Sequence, residues 1–106
     1  MVAGGHMTET SKDTTYSSVV SLKGLRTVMF LAELNGMSIL PGAIVNAYLE
    51  AFTTEQVCCK AGSEFRFLGL EGHLLVIVKA LYGIKSSGSR FHNFLADVLN
   101  NMGFFP

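Results

Sequence analysis

Charged residues are scarce in this chain of 106 residues. They make up 15% of it, against roughly a quarter in typical soluble domains. Hydrophobic residues make up 49%, although a chain this short can bury only a modest core. We therefore expect the domain to pack against more protein than it contains. The eight basic and eight acidic residues cancel, which excludes a global positive field that would draw the chain to nucleic acid.

Cysteine is scarce as well. The only two, Cys58 and Cys59, are neighbours in a segment with the pattern of a strand. Successive strand residues point to opposite faces of a sheet, so the pair suits neither a metal site nor a disulfide. We expect two small apolar side chains in a reduced, intracellular protein.

Long apolar runs are missing too. A run such as Leu74 to Val78 is far too short to cross a membrane. Met1 is followed by small and polar residues instead of the apolar segment of a secretory signal. These patterns predict an intracellular protein, cytoplasmic or nuclear, that is not secreted and has no membrane contact.

The chain divides into an arm and one domain. Residues 1–17 are polar, rich in threonine and glycine and without a hydrophobic period, which predicts an extended polar arm. Residues 18–106 form the domain. Its first element is a predicted helix over residues 18–35, ended by Asn35-Gly36 because glycine accepts the left-handed conformation. The helical spacing is carried by Leu22, Leu25, Met29 and Ala32.

Shorter elements are predicted in the middle of the domain. The continuous branched run at 74–78 favours a strand covered on both faces, preceded by a glycine-containing loop that ends at Gly72. Before that loop we expect a strand at 37–40, extended backbone at 43–45, a short helix at 47–52 and a strand at 56–60.

A second long helix is predicted over residues 89–102, ended by Gly103. Helix, strands and helix in this order indicate an α/β (α+β) fold, a small sheet with two main packing helices. The apolar face of the last helix comprises Phe91, Phe94, Leu95, Val98, Leu99 and Met102.

Few residues point to chemistry without further knowledge. The three histidines are far apart and lack zinc-ligand spacing with the cysteines or acids. The serines of 86–89 precede a helix, which predicts N-capping. Lys79, Lys85 and Arg90 lie in a stretch, 72–96, without an acidic residue. A nucleic-acid contact and solvated surface side chains explain this weak basic patch equally well.

Two segments carry a more specific pattern: Gly42 to Ala51 (GAIVNAYLEA) and Ala80 to Lys85 (ALYGIK). Together with shorter stretches in order from Val2 to Pro106, they resemble the N-terminal part of the reverse transcriptase of copia-like LTR retrotransposons, a transposable-element RNA-directed DNA polymerase. The resemblance implies a partial reverse-transcriptase fingers and palm domain over residues 18–106.

The resemblance also implies that catalysis is lost. Polymerases of this family use Mg²⁺ held by aspartates, and Ala43 occupies the first metal-ligand position. The family's Tyr-x-Asp-Asp hairpin lies downstream of the position matched by Phe105. We therefore expect a truncated, degenerate fragment, a pseudoenzyme that is inactive alone, with no catalytic residue and no metal ligand of its own.

Other matched positions imply binding. The nucleotide-binding positions would be Asn46, Ala47, Tyr48, Gly83 and Lys85, with the Tyr48 ring against the incoming sugar. Without the resemblance, Tyr48 would be a half-buried packing residue.

Nucleic-acid contacts would come from Lys79, Lys85 and Arg90. The expected partners are weakly bound RNA or DNA, a deoxynucleotide, and either a second copy or a chain that supplies the missing palm. The alternative is a non-catalytic nucleic-acid-binding or self-associating interaction module.

Overall fold

The structure, a computed structural model, describes residues 2–8 and 14–105. The rest of the predicted arm, residues 1 and 9–13, lies outside this description, as does residue 106. The chain is mixed α/β with a two-stranded antiparallel sheet and several helices, which confirms the predicted class at that level. In chain order the elements are a 3₁₀ turn Gly5–Met7, α1 Leu22–Leu34, α2 Ala47–Glu50, β1 Phe52–Lys60, a 3₁₀ helix Ser63–Leu68, β2 Leu74–Lys79 and α3 Ser87–Asn101.

The sheet is a hairpin with one half-buried face and one exposed face. Cys58 lies opposite Val76, and Cys59 lies opposite Leu75. Burial alternates along both strands, and Val76 on the outer face is 64% exposed. The prediction that β2 is covered on both faces is wrong, because no described element lies over its outer face. The two cysteines are free and differ in exposure, as expected for neighbours on opposite faces.

Helix α3 packs against α2 and β1. The apolar face predicted for it is only partly covered, because Phe91 lies near Tyr48 whereas Met102 at its far end is 65% exposed. It begins at Ser87, slightly before the predicted start, and ends at Asn101. Gly103 follows in the left-handed conformation with φ +88°, so the predicted glycine stop is confirmed.

Helix α1 begins later than predicted because Ser21 is its N-cap. The Ser21 side chain accepts a hydrogen bond of 3.0 Å from the Gly24 N–H, a standard cap. The predicted end at Asn35 and Gly36 is confirmed, with Gly36 at φ +61°.

The apolar stripe of α1 is not packed. Leu22 is 62% exposed and Met29 is 51% exposed. The helix makes no substantial contact with another described helix or strand. The prediction of two packing helices is therefore wrong, because the described residues include no layer for α1 to cover.

The segment between α1 and α2 contains no strand, contrary to the prediction for residues 37–40. No described strand runs beside it to supply a ladder, and Pro41 removes a donor. Asn46, with φ 51°, turns the chain into α2. That helix ends at Glu50, before the predicted limit, because β1 starts at Phe52, earlier than predicted.

Few of the hydrophobic residues are buried in the structure. The accessible surface is 8553 Å², against about 5800 Å² for a compact monomer of this mass. The radius of gyration is 18.4 Å, against about 13 Å for a compact domain of this length. No helix in residues 2–8 and 14–105 is long and apolar enough to cross a membrane. Of the five buried hydrophobic residues in the described ranges, four are alanines (Ala32, Ala51, Ala61 and Ala80) and the fifth is Ile84.

Candidate functional site

Among the described residues, the best-buried part runs from the turn after β2 into the first turn of α3. Ser86, Ser87 and Ser89 are all at most 3% exposed. The Ser87 hydroxyl donates to the Leu81 carbonyl at 2.7 Å, and the Ser89 hydroxyl donates to the Thr14 carbonyl at 2.7 Å. The predicted N-capping role is wrong, because the residue before the helix, Ser86, makes no side-chain cap bond. The serines instead hold the turn and the arm together.

The start of α3 is capped from the sheet. The Ser86 N–H donates to the Glu55 carboxylate on β1 at 3.1 Å. A carboxylate at this end of a helix also meets the positive end of the helix dipole. The hydroxyl of Ser86 is buried and has no hydrogen-bond partner in the described part of the chain. Glu55 thus joins β1 to α3 and occupies the place that an external anion would take.

The N-terminal arm lies against the loop that follows β2. The Ala3 N–H donates to the Tyr82 carbonyl at 2.6 Å. Gly5 and Gly83 approach so closely that a β-carbon on Gly5 would overlap the Gly83 carbonyl. Lys85 Nζ donates to the Thr8 carbonyl at 2.9 Å. The described part of the arm is therefore docked, and it covers the loop for which nucleotide contact was predicted.

Three aromatic rings connect α2, the same loop and α3. The Tyr48 and Tyr82 ring centroids are 4.4 Å apart with the planes tilted by 33°. The Tyr48 and Phe91 centroids are 6.1 Å apart. Such tilted pairs are favourable beyond their buried area. Tyr48 is half-buried while Tyr82 is 52% exposed, so one edge of this aromatic cluster (Tyr48, Tyr82 and Phe91) is open to a ligand.

The predicted nucleotide-binding residues thus divide into two groups. Asn46 and Ala47 lead into Tyr48 at the aromatic cluster, and Tyr82 joins them there. Gly83 and Lys85 follow in the same loop but contact the arm instead.

The predicted basic patch is partly assembled. Lys79 Nζ lies 3.5 Å from the Glu50 carbonyl oxygen and 3.8 Å from the centroid of the Phe52 ring. Arg90 Nε donates to the Phe52 carbonyl at 3.2 Å. Lys79 and Arg90 therefore meet at the start of β1, whereas Lys85 contacts the arm. Because the partners of Lys79 and Arg90 are backbone carbonyls and not carboxylates, the positive charges of these two side chains are not neutralised.

The residues present do not fit the Mg²⁺ that the resemblance implies. Magnesium binds oxygen ligands, chiefly carboxylates and phosphates, and the side chain of Ala43 is a methyl group. No group of three His, Cys, Asp or Glu residues in the described ranges could hold a metal ion. Glu55 is already hydrogen-bonded to Ser86.

Two structural contributors were missed from the sequence: Glu55 and Gly5. Glu55 lies outside the strand predicted at 56–60, and only the longer observed strand places its side chain on the half-buried face. Gly5 carried no sequence signal either, because its partner Gly83 is far away in the chain.

Comparison with known proteins gives the chain no family, since no protein-family model, no curated protein and no solved structure matches it significantly.

Proposed function

We propose that this chain is a catalytically inactive relative of the copia-like reverse transcriptases that keeps part of the nucleotide-facing surface of the fingers and palm. The observation that carries the proposal is the contact between Tyr48 and Tyr82 at 4.4 Å. It joins the two segments with the most specific resemblance, Gly42 to Ala51 and Ala80 to Lys85. A shared site formed by the two segments would need such a contact.

The loss of activity follows from Ala43. Two-metal phosphoryl transfer needs carboxylates to hold the ions that activate the attacking oxygen and neutralise the leaving group. A methyl group cannot provide this. What the chain can still offer is a stacking surface, since base and sugar rings pack well against the exposed edge of Tyr82.

Two assays test the two parts of this proposal. On a primed RNA template with Mg²⁺ or Mn²⁺, we expect no primer extension above a mock preparation; extension by the pure chain would overturn the claim of inactivity. The chain has no tryptophan, so tyrosine fluorescence reports on deoxynucleotide binding. We expect a saturable change that Tyr48→Ala abolishes. The matched control is Tyr16→Ala, which removes an exposed tyrosine outside the aromatic cluster. No saturable change in the unaltered chain would contradict nucleotide binding.

A second candidate function is non-catalytic binding of nucleic acid. It is favoured by Lys79 and Arg90 meeting beside Phe52 with their charges uncancelled. Contacts to phosphates from these two residues and Lys85 would make log affinity fall with log salt at a slope of about −2 to −3.

The control for this function exploits three other basic residues. Replacement of Lys79, Lys85 and Arg90 by alanine should abolish binding, while replacement of Lys23, Arg26 and Lys60 leaves it largely intact. Binding that is indifferent to salt, or equally weakened by both triple variants, would count against this function.

A further inference from the structure

The two edges of the hairpin differ in how they are protected. Between the pairs Phe52–Lys79 and Val57–Ile77, four residues of β1 lie opposite a single residue of β2, Val78. The extra residues disrupt the outer edge of β1, as bulges do in natural edge strands. Arg90 also occupies the Phe52 carbonyl. These features hinder the addition of another strand beside β1.

Strand β2 has no comparable protection. Residues 74–78 read Leu-Leu-Val-Ile-Val, without charge, proline or glycine. On the edge of β2 that points away from β1, no backbone hydrogen bond from another described element reaches these residues. A regular, uncharged apolar edge strand is a template for pairing with another strand.

Besides this unpaired edge, β2 has an exposed face that is apolar. Leu74, Val76 and Val78 are 70%, 64% and 57% exposed, respectively. A partner that extends the sheet along β2 would therefore continue both the hydrogen-bond ladder and the apolar face.

We propose that the partner is a second copy of this chain, paired antiparallel along β2 about a twofold axis to give a four-stranded sheet of order β1–β2–β2–β1. Such an interface is isologous, so one surface suffices for both copies. The chain has a formal net charge of zero, so two copies do not repel each other. This inference concerns the sheet edge and holds independently of any nucleotide or nucleic-acid binding.

The chain as a whole leaves more surface exposed than a compact monomer does, and α1 as well as β2 contributes to this surplus. The chain has 8553 Å² of accessible surface, about 2700 Å² more than a compact monomer of its mass. Stable homodimers bury roughly 2000–5000 Å² in total over both chains. A twofold axis at Val76 or Ile77 keeps the exposed residues of both β2 strands on one face, whereas a shift by one residue would place them on opposite faces.

Cross-linking tests the edge directly. In a background with Cys58→Ser and Cys59→Ser, single cysteines replace Val76 or Ile77, and the chain is mildly oxidised. We expect a covalent dimer from at least one of them, because paired residues near the axis bring their Cα atoms within disulfide range, below about 7 Å. Gln56→Cys is the control, because Gln56 lies on β1, on the same face of the sheet as Val76. In the four-stranded sheet the two β1 strands are three strand spacings apart, so roughly 14 Å would separate the two cysteines. No cross-link at either β2 position, or equal cross-linking at Gln56, overturns the proposal.

Sedimentation measures the association itself. We expect a concentration-dependent dimer of the unaltered chain, with the dissociation constant raised at least tenfold by Val76→Lys and less than about twofold by Gln56→Lys. Both positions are exposed, so the added charge is tolerated by the monomer. A monomer at all concentrations, or polydisperse aggregates without a dimer, would contradict twofold pairing along β2.

Discussion

The Glu55 carboxylate on β1 accepts a hydrogen bond from the backbone N–H of Ser86 at 3.1 Å, where α3 begins. One side chain thereby provides the cap that the serines of 86–89 do not provide. It also fixes the position of the helix on the hairpin. Since few large apolar side chains are buried, a polar contact of this kind carries an unusual share of the tertiary structure.

Removal of this cap should destabilise the chain. Glu55→Ala leaves the Ser86 N–H without its acceptor, and we expect a loss of about 1–2 kcal/mol in the free energy of unfolding. Glu55→Gln keeps an acceptor oxygen without the charge, so its loss should be smaller. Urea denaturation measures both. Glu33→Ala, on the exposed side of α1, is the control and should stay within about 0.5 kcal/mol of the unaltered chain. Equal stabilities for the two alanine variants would contradict the cap.

The docking of the arm depends on the absence of a side chain at Gly5. A β-carbon there would overlap the Gly83 carbonyl, so Gly5→Ala should displace the arm and cost about 1–3 kcal/mol. Hydrogen exchange at the Ala3 amide, which is bonded to the Tyr82 carbonyl, should become fast. Gly42→Ala meets no neighbouring atom and serves as the control. Unchanged protection of Ala3 in Gly5→Ala would show that the arm does not depend on this contact.

The sequence predicted those elements that local signals determine. Both helix ends next to glycine were correct, because Gly36 and Gly103 adopt the left-handed conformation that stops a helix. The opposite exposure of Cys58 and Cys59 also follows from strand geometry alone. These features need no knowledge of distant residues.

The remaining errors have a common cause in long-range packing. The apolar run of β2 predicted a strand that is covered on both faces. A hydrophobic pattern indicates which side chains favour burial, but it does not show whether another element is present to cover them. The stripe on α1 failed in the same way. At the site, the sequence could place Tyr48 and Tyr82 in matched segments, but the docking of the arm onto Gly83 and Lys85 depends on tertiary contacts between distant residues.

The Arg66–Glu71 ion pair predicts a small, pH-dependent contribution to stability. Arg66 Nε and Glu71 Oε2 are 2.7 Å apart, with a second bond of 3.1 Å from Nη2 to Oε1. The hydrogen bond raises the pKa of Arg66 and lowers the pKa of Glu71. A carboxyl with a lowered pKa in the folded state stabilises it above the unfolded value, ordinarily 4.5, and this stabilisation is lost as the pH falls through the folded value.

Thermal unfolding of Glu71→Gln checks this contribution. The melting temperature should lie slightly below that of the unaltered chain at pH 7, and the difference should shrink steadily as the pH falls below 4.5. Both side chains are exposed, so salt should also reduce the difference. The matched control is Glu64→Gln, because Glu64 is an exposed acidic residue in the 3₁₀ helix that contains Arg66. A difference that stays constant as the pH falls would rule out the carboxylate as its source.

Helix α1 should be the least protected helix of the chain. It has 13 residues and no substantial packing partner among the described elements, and isolated helices of that length are marginal in water. In hydrogen exchange followed by mass spectrometry, we expect the amides of α1 to exchange at nearly the rate of an unstructured peptide. Those of β1, β2 and α3 should exchange more slowly, since a ladder or helix packing holds them.

A stabilised variant of α1 separates weak helix formation from hidden packing. Gly24→Ala favours the helix by at most about 1 kcal/mol, because its new β-carbon lies 3.3 Å from the capping Ser21 Oγ and from a Val20 methyl group, which must shift by a few tenths of an ångström. It should raise the protection of α1 without changing the melting of the hairpin and α3, because the two parts are not in substantial contact. Protection of α1 in the unaltered chain equal to that of β2, or a joint rise in both melting transitions, would show that α1 packs on the rest of the molecule in solution.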